Sequence, residues 1–239
     1  MPDRSPFLLW TELDETTMPA LQEQMAAAET GDLPARSYPG YPSWPLDAMR
    51  PRWRPSLDRA LLDRQCIRSL NEETPSRASL SRLLYYSHGA VRDFSRGPTP
   101  SAGGLQALEL YVVHWNDSWL PQGLYHYDRV GHRLAQISPE ATRPEWRRLI
   151  PSLTQIDGAA LAWVLVGDEP RVTAKYLDRG ARFLLLEAGH LMQNLCLVSA
   201  SLGLATVPLG GCLDREVADA FQLPPTDWVL YQGVCGRRL

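Results

Sequence analysis

Lys175 and Tyr176 are adjacent in the sequence and begin a long apolar stretch. An ammonium group close to a phenol favours the phenolate, so the lysine is expected to lower the pKa of the tyrosine. Either group could then act as a general acid or base near neutral pH. The alternative is a surface lysine beside a packed tyrosine, and the two residues without further context favour that plainer interpretation.

Arg64 and Arg68 are four positions apart, with Cys66 between them. On a helix the two arginines would be neighbours on one face, where two planar guanidinium groups can grip a phosphate bidentately. Arg237 and Arg238, at the other end of the sequence, could add to such an anion site. The spacing alone is more typical of exposed arginines on a solvated face.

Two glycine-containing turns, Ser101-Ala102-Gly103-Gly104 and Gly210-Gly211, could let the backbone approach a ligand closely. Each offers N–H groups with no side chain in the way. Neither turn is one of the phosphate-binding motifs GxxxxGK[ST] or GxGxxG, and each taken singly is more often a plain turn. A serine hydroxyl followed by glycines could bind a ribityl or carbonyl oxygen.

The stretch that starts at Lys175 is predicted to be one long helix, because its apolar residues recur at alternating steps of four and three. Other apolar residues widen this stripe, so the helix is predicted to be buried on several sides, within a core or at a subunit interface. Gly203 is predicted to end it. The stripe consists of Leu177, Ala181, Leu184, Ala188, Leu191, Leu195, Val198 and Leu202.

Three polar residues, Glu187, His190 and Asn194, share one face of this apolar helix. Polar groups are costly to bury unless they are satisfied. The favoured interpretation is therefore a buried hydrogen-bond network, or His190 as a satisfied core histidine. Direct catalysis by His190 is the less favoured alternative.

The first 55 residues are predicted to be an extended arm that packs on the body of the protein or on a second subunit. Prolines exclude a continuous helix in its second half, and the aromatic residues between them need a place to be buried. A disordered linker is the alternative, and a short helix is predicted over residues 18–29. The prolines are Pro34, Pro39, Pro42, Pro45, Pro51 and Pro55, and the aromatic residues are Tyr38, Tyr41, Trp44 and Trp53.

The remaining chain, residues 56–239, mixes helices and strands without a strict βαβ rhythm, which indicates an α+β fold. Further helices are predicted from Leu57, over residues 79–86 and 144–153, and from Asp214 as N-cap to Phe221. Strands are predicted over residues 109–115, 161–166, 205–207 and 228–236. A hairpin is predicted over residues 123–137, with its turn near Val130 and Gly131.

The composition excludes several classes of partner. The net charge is −3 and no lysine-arginine block is present, so neither nucleic acid nor an anionic membrane is a favoured partner. No apolar run reaches spanning length, and a short apolar run with an acidic flank argues against a signal peptide. The four cysteines are scattered without metal-type pairing, so we predict no metal site and a cytoplasmic protein with free thiols.

Taken together and in this order, the motifs resemble the nitroreductase superfamily, specifically the SagB/ThcOx/McbC type of FMN-dependent dehydrogenase. The resemblance extends from Ser56 to the C-terminus. The residues that carry it are Arg64-x-Cys66-Ile67-Arg68, Pro100-Ser101-Ala102-Gly103-Gly104-Leu105, Gly123-Leu124-Tyr125, Lys175-Tyr176, Glu187-Ala188-Gly189-His190 with Gln193-Asn194, and Pro208-x-Gly210-Gly211.

The resemblance implies an α+β nitroreductase fold that works as an intertwined homodimer, with FMN at the subunit interface. Arg64, Cys66, Arg68 and Arg238 would hold the phosphate and ribityl end of FMN. Ser101 and Gly103 would line the flavin, and Gly210 and Gly211 would place N–H groups near its N5 edge. Lys175 and Tyr176 match the pair that azoline oxidases of this type use in catalysis.

The implied function is an FMN-dependent oxidoreductase that dehydrogenates azoline-type or related dihydro-heterocycles in a peptide or small molecule. Two alternatives stay open on the same fold. One is an NAD(P)H-dependent nitro- or ene-reductase. The other is a non-catalytic flavin-binding subunit of a peptide-modifying complex. The lysine-tyrosine pair separates this type from plain nitroreductases, but it does not identify the substrate.

Overall fold

The computed structural model describes residues 5–28, 34–49, 56–91 and 96–239. Its helices are α1 (Pro6–Trp10), α2 (Met18–Ala27), α3 (Leu57–Asp63), α4 (Arg77–His88), α5 (Arg143–Leu149), α6 (Glu169–Tyr176), α7 (Gly180–Ser201) and α8 (Asp214–Ala220). Its strands are β1 (Ser43–Pro45), β2 (Leu70–Asn71), β3 (Leu108–His114), β4 (Gly123–Asp128), β5 (Arg133–Ser138), β6 (Leu161–Asp168), β7 (Leu204–Leu209) and β8 (Asp227–Arg238).

The described strands form one sheet in the order β1-β5-β4-β3-β6-β8-β2, and β7 also pairs with β8. The pairings between these strands are antiparallel. The centre of the sheet, β3 and β6, is buried on both faces, as the unbroken apolar run of β6 predicts. The predicted α+β class is confirmed, and so is the hairpin, which β4 and β5 form.

Two hydrophobic cores cover the two faces of the sheet, because successive side chains of a strand point to opposite faces. On one face, Leu110 of β3 lies in the cluster that contains Leu84 of α4 and Leu191 of α7. On the other face, Tyr111 lies in the cluster that contains Trp146 of α5 and Phe221, next to α8. The long helix α7 is therefore the core helix of the first face, as predicted.

The start of the long helix differs from the prediction. Lys175 and Tyr176 form the last turn of a separate helix, α6, and Leu177 then takes a left-handed backbone conformation with φ 50°. The side chain of Asp168 caps α6, accepting a hydrogen bond from the Arg171 amide, and Pro170 follows in its first turn. Helix α6 therefore begins after its N-cap, Asp168. The period of the apolar residues alone did not reveal this separate helix.

The two helices abut closely after this break. A Cβ at Gly180, the first residue of α7, would lie 3.0 Å from Val172 of α6. Only a glycine lets α6 pack directly on the first turn of α7. At the other end, Gly203 has φ 72° just beyond α7, which confirms the predicted stop.

By length and composition the stretch Glu169–Ser201 would be apolar enough to cross a membrane. Half of its most apolar window is buried inside the protein, however, and Leu177 interrupts it. These features are those of a core helix.

Smaller differences concern the ends of helices. The predicted helix over residues 144–153 ends at Leu149 and continues as a 3-10 turn. The N-cap of α8 is Leu213 and not Asp214. The helix predicted to reach Glu29 ends at Ala27, and Glu29 itself lies outside the described residues.

The described part of the N-terminal arm packs on the body, in agreement with the extended-arm interpretation. Strand β1 pairs with β5, and the hydroxyl of Tyr38 lies 2.7 Å from that of Tyr111 on β3. The Arg36 guanidinium binds the carboxylate of Asp227. Pro51, Trp53 and Pro55 lie outside the described residues, and the domain boundary at residue 55 stays a prediction.

Candidate functional site

The structure sorts the predicted site residues into two groups. The arginine group contains Arg64, Cys66, Arg238 and Gly210. The lysine–tyrosine group contains Lys175, Tyr176, Ser101 and Gly103, with Glu187 behind them. Each group has a different construction.

The arginine group lies where the end of helix α3 and the end of strand β8 come together. Arg64 is the C-cap of α3, and its Nη1 lies 3.8 Å from Cys66 Sγ. The Arg238 guanidinium, at the end of β8, donates a hydrogen bond to the Asp63 carbonyl oxygen. Arg238 Nε is buried and has no hydrogen-bond partner among the described residues. The group is therefore a cationic corner that retains an unused buried donor.

Arg68 does not join this corner. Helix α3 ends at Asp63 and residues 64–67 are not helical, so the assumption that Arg64 and Arg68 are helical neighbours is wrong. In an extended segment, residues four apart are separated by roughly 13 Å. Among the residues that the structure describes, no hydrogen bond or ion pair ties the exposed Arg68 side chain to the group; its backbone carbonyl accepts a bond from Asp157.

Gly210 reaches the same side of the molecule through the sheet. Leu209, the last residue of β7, pairs with Gln232, so Gly210 lies opposite Tyr231. Cys66 is close enough to Tyr231 to raise the pKa of that phenol further, after the larger effect of burial. A Cβ at Gly210 or Gly211 would meet nothing within 4 Å. This turn is open, and its contact with a ligand stays a prediction.

The lysine–tyrosine group is packed closely. Lys175 Nζ lies 5.6 Å from the centroid of the Tyr176 ring, over its face. Gly103 sits against both side chains with φ 60°: a Cβ there would be 2.5 Å from Tyr176 Oη and 3.1 Å from Lys175 Nζ. Glycine is favoured here by its backbone conformation, and a larger residue would also have to displace the ends of the two side chains. The structure thus brings together Gly103, Lys175 and Tyr176.

The predicted lowering of the Tyr176 pKa is wrong. Burial raises the pKa of the Tyr176 phenol above its ordinary value of 10.0. The Lys175 side chain lies over the face of the ring. The Tyr176 phenol is therefore a hydrogen-bond donor at neutral pH.

Glu187 lies behind the turn that carries Ser101 and Gly103. Its side chain is buried, and neither carboxyl oxygen has a hydrogen-bond partner of normal geometry among the described residues. Burial raises the pKa of Glu187 to about 7, although the Ser101 hydroxyl, the Arg129 charge and the amides of Ala102 and Leu108 act in the opposite direction. Sequence reasoning placed Glu187 in a buried network and missed this turn as its neighbour.

The predicted hydrogen-bond network of Glu187, His190 and Asn194 is wrong, because the Glu187 carboxyl group lacks a partner among the described residues and His190 is exposed. Asn194 donates to the Thr99 hydroxyl at 3.1 Å, whereas His190 is exposed. At 100° per residue, positions 187 and 194 point nearly the same way, while position 190 is about 60° off and lies at the rim. Within a single protomer, His190 therefore lies on the surface and not in the core.

Helix α6, which ends in the pair, is held by the N-terminal arm. The Gln24 side chain donates to the Ala174 carbonyl, one residue before Lys175. Arg171 donates to the carbonyl oxygens of Pro34, at 2.8 Å, and Leu105, at 3.4 Å. The arm and the turn after Gly104 thus fix the helix from two sides.

One sequence signal for the site was overlooked. Lys175 is the only lysine in the chain. The rest of its 24 lysine and arginine residues are arginines. An arginine does not lose its proton in proteins, whereas a lysine amine can. The single lysine therefore distinguishes this position chemically from the arginine positions of the chain.

The two groups are separate within one protomer. Cys66 and Arg64 act electrostatically on the buried thiol of Cys196, whereas the turn at Ser101 faces Glu187. Cys196 and Glu187 both lie on α7, nine residues apart, which corresponds to roughly 13 Å along the axis. Within one protomer the two groups therefore lie apart along the axis of α7.

Comparisons with known proteins define the class. The Nitroreductase family matches residues 61–237, so the chain belongs to this family. A protein of Methanocaldococcus jannaschii that is named as a nitroreductase is 28% identical over 167 residues, 70% of this chain and 84% of its own. A nitroreductase structure from Ralstonia eutropha superposes with a TM-score of 0.73 at 23% identity, over 86% of this chain and 93% of its own.

A second kind of relative processes a peptide. The microcin B17-processing protein McbC of Escherichia coli is 27% identical over 135 residues, which are 54% of this chain and 49% of McbC. This chain thus matches about half the length of McbC. A chain of the E. coli microcin synthetase McbBCD complex, solved with truncated pro-MccB17 bound, superposes with a TM-score of 0.64 at 21% identity, over 98% of this chain and 87% of that one.

The protein is therefore an oxidoreductase of the Nitroreductase family with the nitroreductase-like fold. This family generally uses FMN, and the arginine group fits that cofactor. The guanidinium groups of Arg64 and Arg238 match phosphate oxygens, and the unpartnered Nε of Arg238 is a donor that a phosphate would satisfy. The open turn at Gly210 and Gly211 leaves backbone N–H groups free of side chains.

Proposed function

We propose that this protein is an FMN-dependent oxidase or dehydrogenase of azoline-type or related dihydro-heterocycles, in a peptide or natural-product pathway. The observation that carries the proposal is the packing of the only lysine of the chain, with a protonated tyrosine, against Gly103. The similarity to McbC supports a peptide-modifying role.

Converting an azoline to an azole removes two electrons and two protons from the ring in total. Bound FMN would supply the acceptor for a hydride from the substrate. Lys175 Nζ, in its neutral amine form, would take the proton that leaves the adjacent ring atom and become the ammonium. Tyr176 Oη, kept protonated by burial, would donate a hydrogen bond to the same ring and so fix its orientation.

We further propose that the protein works as a homodimer. Leucines on α3 are strongly exposed in one protomer: Leu57 at 66%, Leu61 at 52% and Leu62 at 77%. Leu185 and Leu186 on α7 are exposed as well. Such apolar surface is typical of an interface. In a dimer, the arginine group of one protomer could complete a site with the lysine–tyrosine group of its partner, which would explain why one protomer separates them.

Two measurements test the proposed activity. The purified protein should show the absorbance spectrum of an oxidised flavin, and FMN should appear in the supernatant after denaturation. It should then convert an azoline-containing peptide to the azole. Mass spectrometry should show that the peptide has lost the mass of about two hydrogens. A colourless protein that takes up no added FMN would support the non-catalytic subunit instead.

A nitro- or ene-reductase is the second candidate, because the M. jannaschii relative is named as a nitroreductase. Rapid bleaching of the bound flavin by NADH or NADPH, followed by reduction of a nitroarene, would favour it. If azoline peptides are inert while nitroarenes turn over, the azoline proposal is wrong. The cytoplasm stays the proposed compartment, since the four cysteines are free thiols.

A further inference from the structure

The buried carboxyl group of Glu187 is unusual in its surroundings. It belongs to the inward face of α7 and is only 2% exposed. Buried carboxyl groups are normally paired or hydrogen-bonded, yet both oxygens of Glu187 are without a partner among the described residues. The Ser101 hydroxyl and the amides of Ala102 and Leu108 act on this carboxyl group without making a hydrogen bond of normal geometry, so its partnering is incomplete in this arrangement.

The groups that could become those partners belong to a single turn. The Ser101 hydroxyl and the Ala102 amide face Glu187, together with the amide of Leu108. Ser101 Oγ accepts a hydrogen bond from the Gln106 amide at 2.8 Å, which leaves its own hydrogen available to an acceptor. The turn is closed internally by the bonds of the Gly104 and Leu105 amides to the carbonyls of Ser101 and Ala102.

The opposite side of the same turn touches the lysine–tyrosine pair. A Cβ at Gly103 would lie 2.5 Å from Tyr176 Oη and 3.1 Å from Lys175 Nζ, so the turn lies directly against the ends of both side chains. Because the turn is tied internally, a shift of Ser101 and Ala102 toward α7 must also move Gly103. The turn therefore connects Glu187 mechanically with the two proposed reactive groups.

We propose that Glu187 is a positioning residue: when ionised, it draws the turn of residues 101–104 toward α7 and so changes how Gly103 holds Lys175 and Tyr176. When protonated, it releases the turn to the arrangement seen here. This inference rests on the proposed function, because the position of the turn affects turnover only if Lys175 and Tyr176 act on the substrate.

The charged groups around Glu187 allow it to switch near neutral pH. Arg129, from the β4–β5 connection, is the charged group that faces it. Among the neighbouring elements, His88 on α4 points to the Leu108 carbonyl, Lys175 lies over the Tyr176 ring, and His190 on α7 is exposed. Burial outweighs the attraction of Arg129 and gives Glu187 a pKa of about 7, within the range where the switch can operate.

Hydrogen exchange tests the proposal without any need for turnover or cofactor. Glu187→Gln keeps the size of the side chain and copies its protonated state. Exchange of the peptide that covers residues 98–108 is measured by mass spectrometry at pH 6 and pH 8, corrected for the intrinsic pH dependence. At pH 8 the wild-type amides should exchange about tenfold more slowly than those of Glu187→Gln, since an ionised acceptor strengthens their hydrogen bonds. At pH 6 the two proteins should agree.

The matched control is Glu145→Gln, the same substitution at an exposed position of α5, which should behave as wild type at both pH values. Equal exchange of wild type and Glu187→Gln at pH 8 would overturn the proposal. If Glu187→Gln does not fold, the wild type alone decides: protection of this peptide must rise between pH 6 and pH 8, and constant protection refutes the switch.

Turnover separates this inference from the proposed function. If Lys175→Arg abolishes turnover but the exchange difference is missing, the function stands and the role of Glu187 falls. If the exchange difference is present but Lys175→Arg keeps full turnover, the proposed function falls, and with it any catalytic role of the switch. If both hold, the pH dependence of kcat should lose an inflection near 7 in Glu187→Gln.

Discussion

The arginine group and the lysine–tyrosine group are built in opposite ways. The first is open: its glycine turn has free space around it, and Arg238 retains an unused donor. The second is closed: a Cβ at Gly103 would lie 2.5 Å from Tyr176 Oη and 3.1 Å from Lys175 Nζ. An open group with unused donors can gain a ligand at little structural cost, whereas a closed group holds its side chains in fixed orientations. The difference supports the proposal that the first group binds FMN and the second group acts on the substrate.

The largest effect is expected at Lys175. Lys175→Arg keeps the positive charge but removes the ability to lose a proton. If the amine is the base, kcat should fall by about 10²- to 10⁴-fold, the usual contribution of general base catalysis. FMN content, read from the absorbance spectrum, should be unchanged. A variant that keeps wild-type turnover would show that the closed group is not the reactive one.

The next effect concerns stability and pH at Glu187. Its folded-state pKa is raised from 4.5 to about 7, so the folded state holds the proton more tightly than the unfolded chain. The contribution of this proton to the free energy of unfolding is fully present below pH 4.5 and is lost as the pH rises to about 7. At 1.36 kcal/mol per pKa unit, the loss is about 3 kcal/mol. Urea denaturation of wild type and Glu187→Gln across this range measures it.

The comparison between the two proteins matters because another group opposes Glu187. Burial lowers the pKa of His88 to about 4, so its contribution grows with pH between about 4 and 6.5. His88 is present in both proteins and cancels in the difference. A wild type and a Glu187→Gln variant with parallel stability curves would contradict the raised pKa.

A moderate effect is expected from Gly103→Ala. The added Cβ combines a clash with Tyr176 Oη and a left-handed backbone conformation, φ 60°, that alanine rarely adopts. Such strain costs about 1–3 kcal/mol. The melting temperature should drop and turnover should fall with it. Gly210→Ala is the matched control in the open group, where a Cβ meets nothing within 4 Å, so stability should hardly change.

The smallest effect is expected from Arg64→Ala and Arg238→Ala. Each removes a guanidinium from the open group, and a charge-assisted hydrogen bond contributes about 1.5 kcal/mol or more, so the Kd for FMN should rise about tenfold. Titration of the apo-protein with FMN, followed by flavin fluorescence, measures this. With saturating FMN, kcat should return to the wild-type value. A lasting loss of kcat would place the arginine group in the chemistry and erase the contrast between the two groups.

Much of the scaffold followed from local patterns. The run of β6 is apolar at successive positions, which only a strand buried on both faces explains, and the hairpin of β4 and β5 has its turn where Gly131 stands. The core helix α7 followed from its apolar period and from Gly203. These signals are local because each depends on residues a few positions apart.

Other features could not be predicted from local sequence patterns, because they depend on contacts between separate elements. The separate helix α6 depends on the close packing of Val172 against Gly180, a contact between two elements. The direction of the Tyr176 pKa depends on burial by the surrounding chain, which outweighs the adjacent amine. Arg238 reaches the Asp63 carbonyl, next to Arg64, only because β8 returns to the end of α3.

The sequence by itself determined the family, the α+β class, and the identity of the residue types that could do chemistry, including the only lysine of the chain. These depend on residue type and order, which folding does not change. Only the tertiary structure decided that Gly103 rests on Lys175 and Tyr176, that Glu187 is buried without a partner, and that the two groups stand apart along α7. Distances and burial arise from contacts between residues far apart in sequence, and no local pattern encodes them.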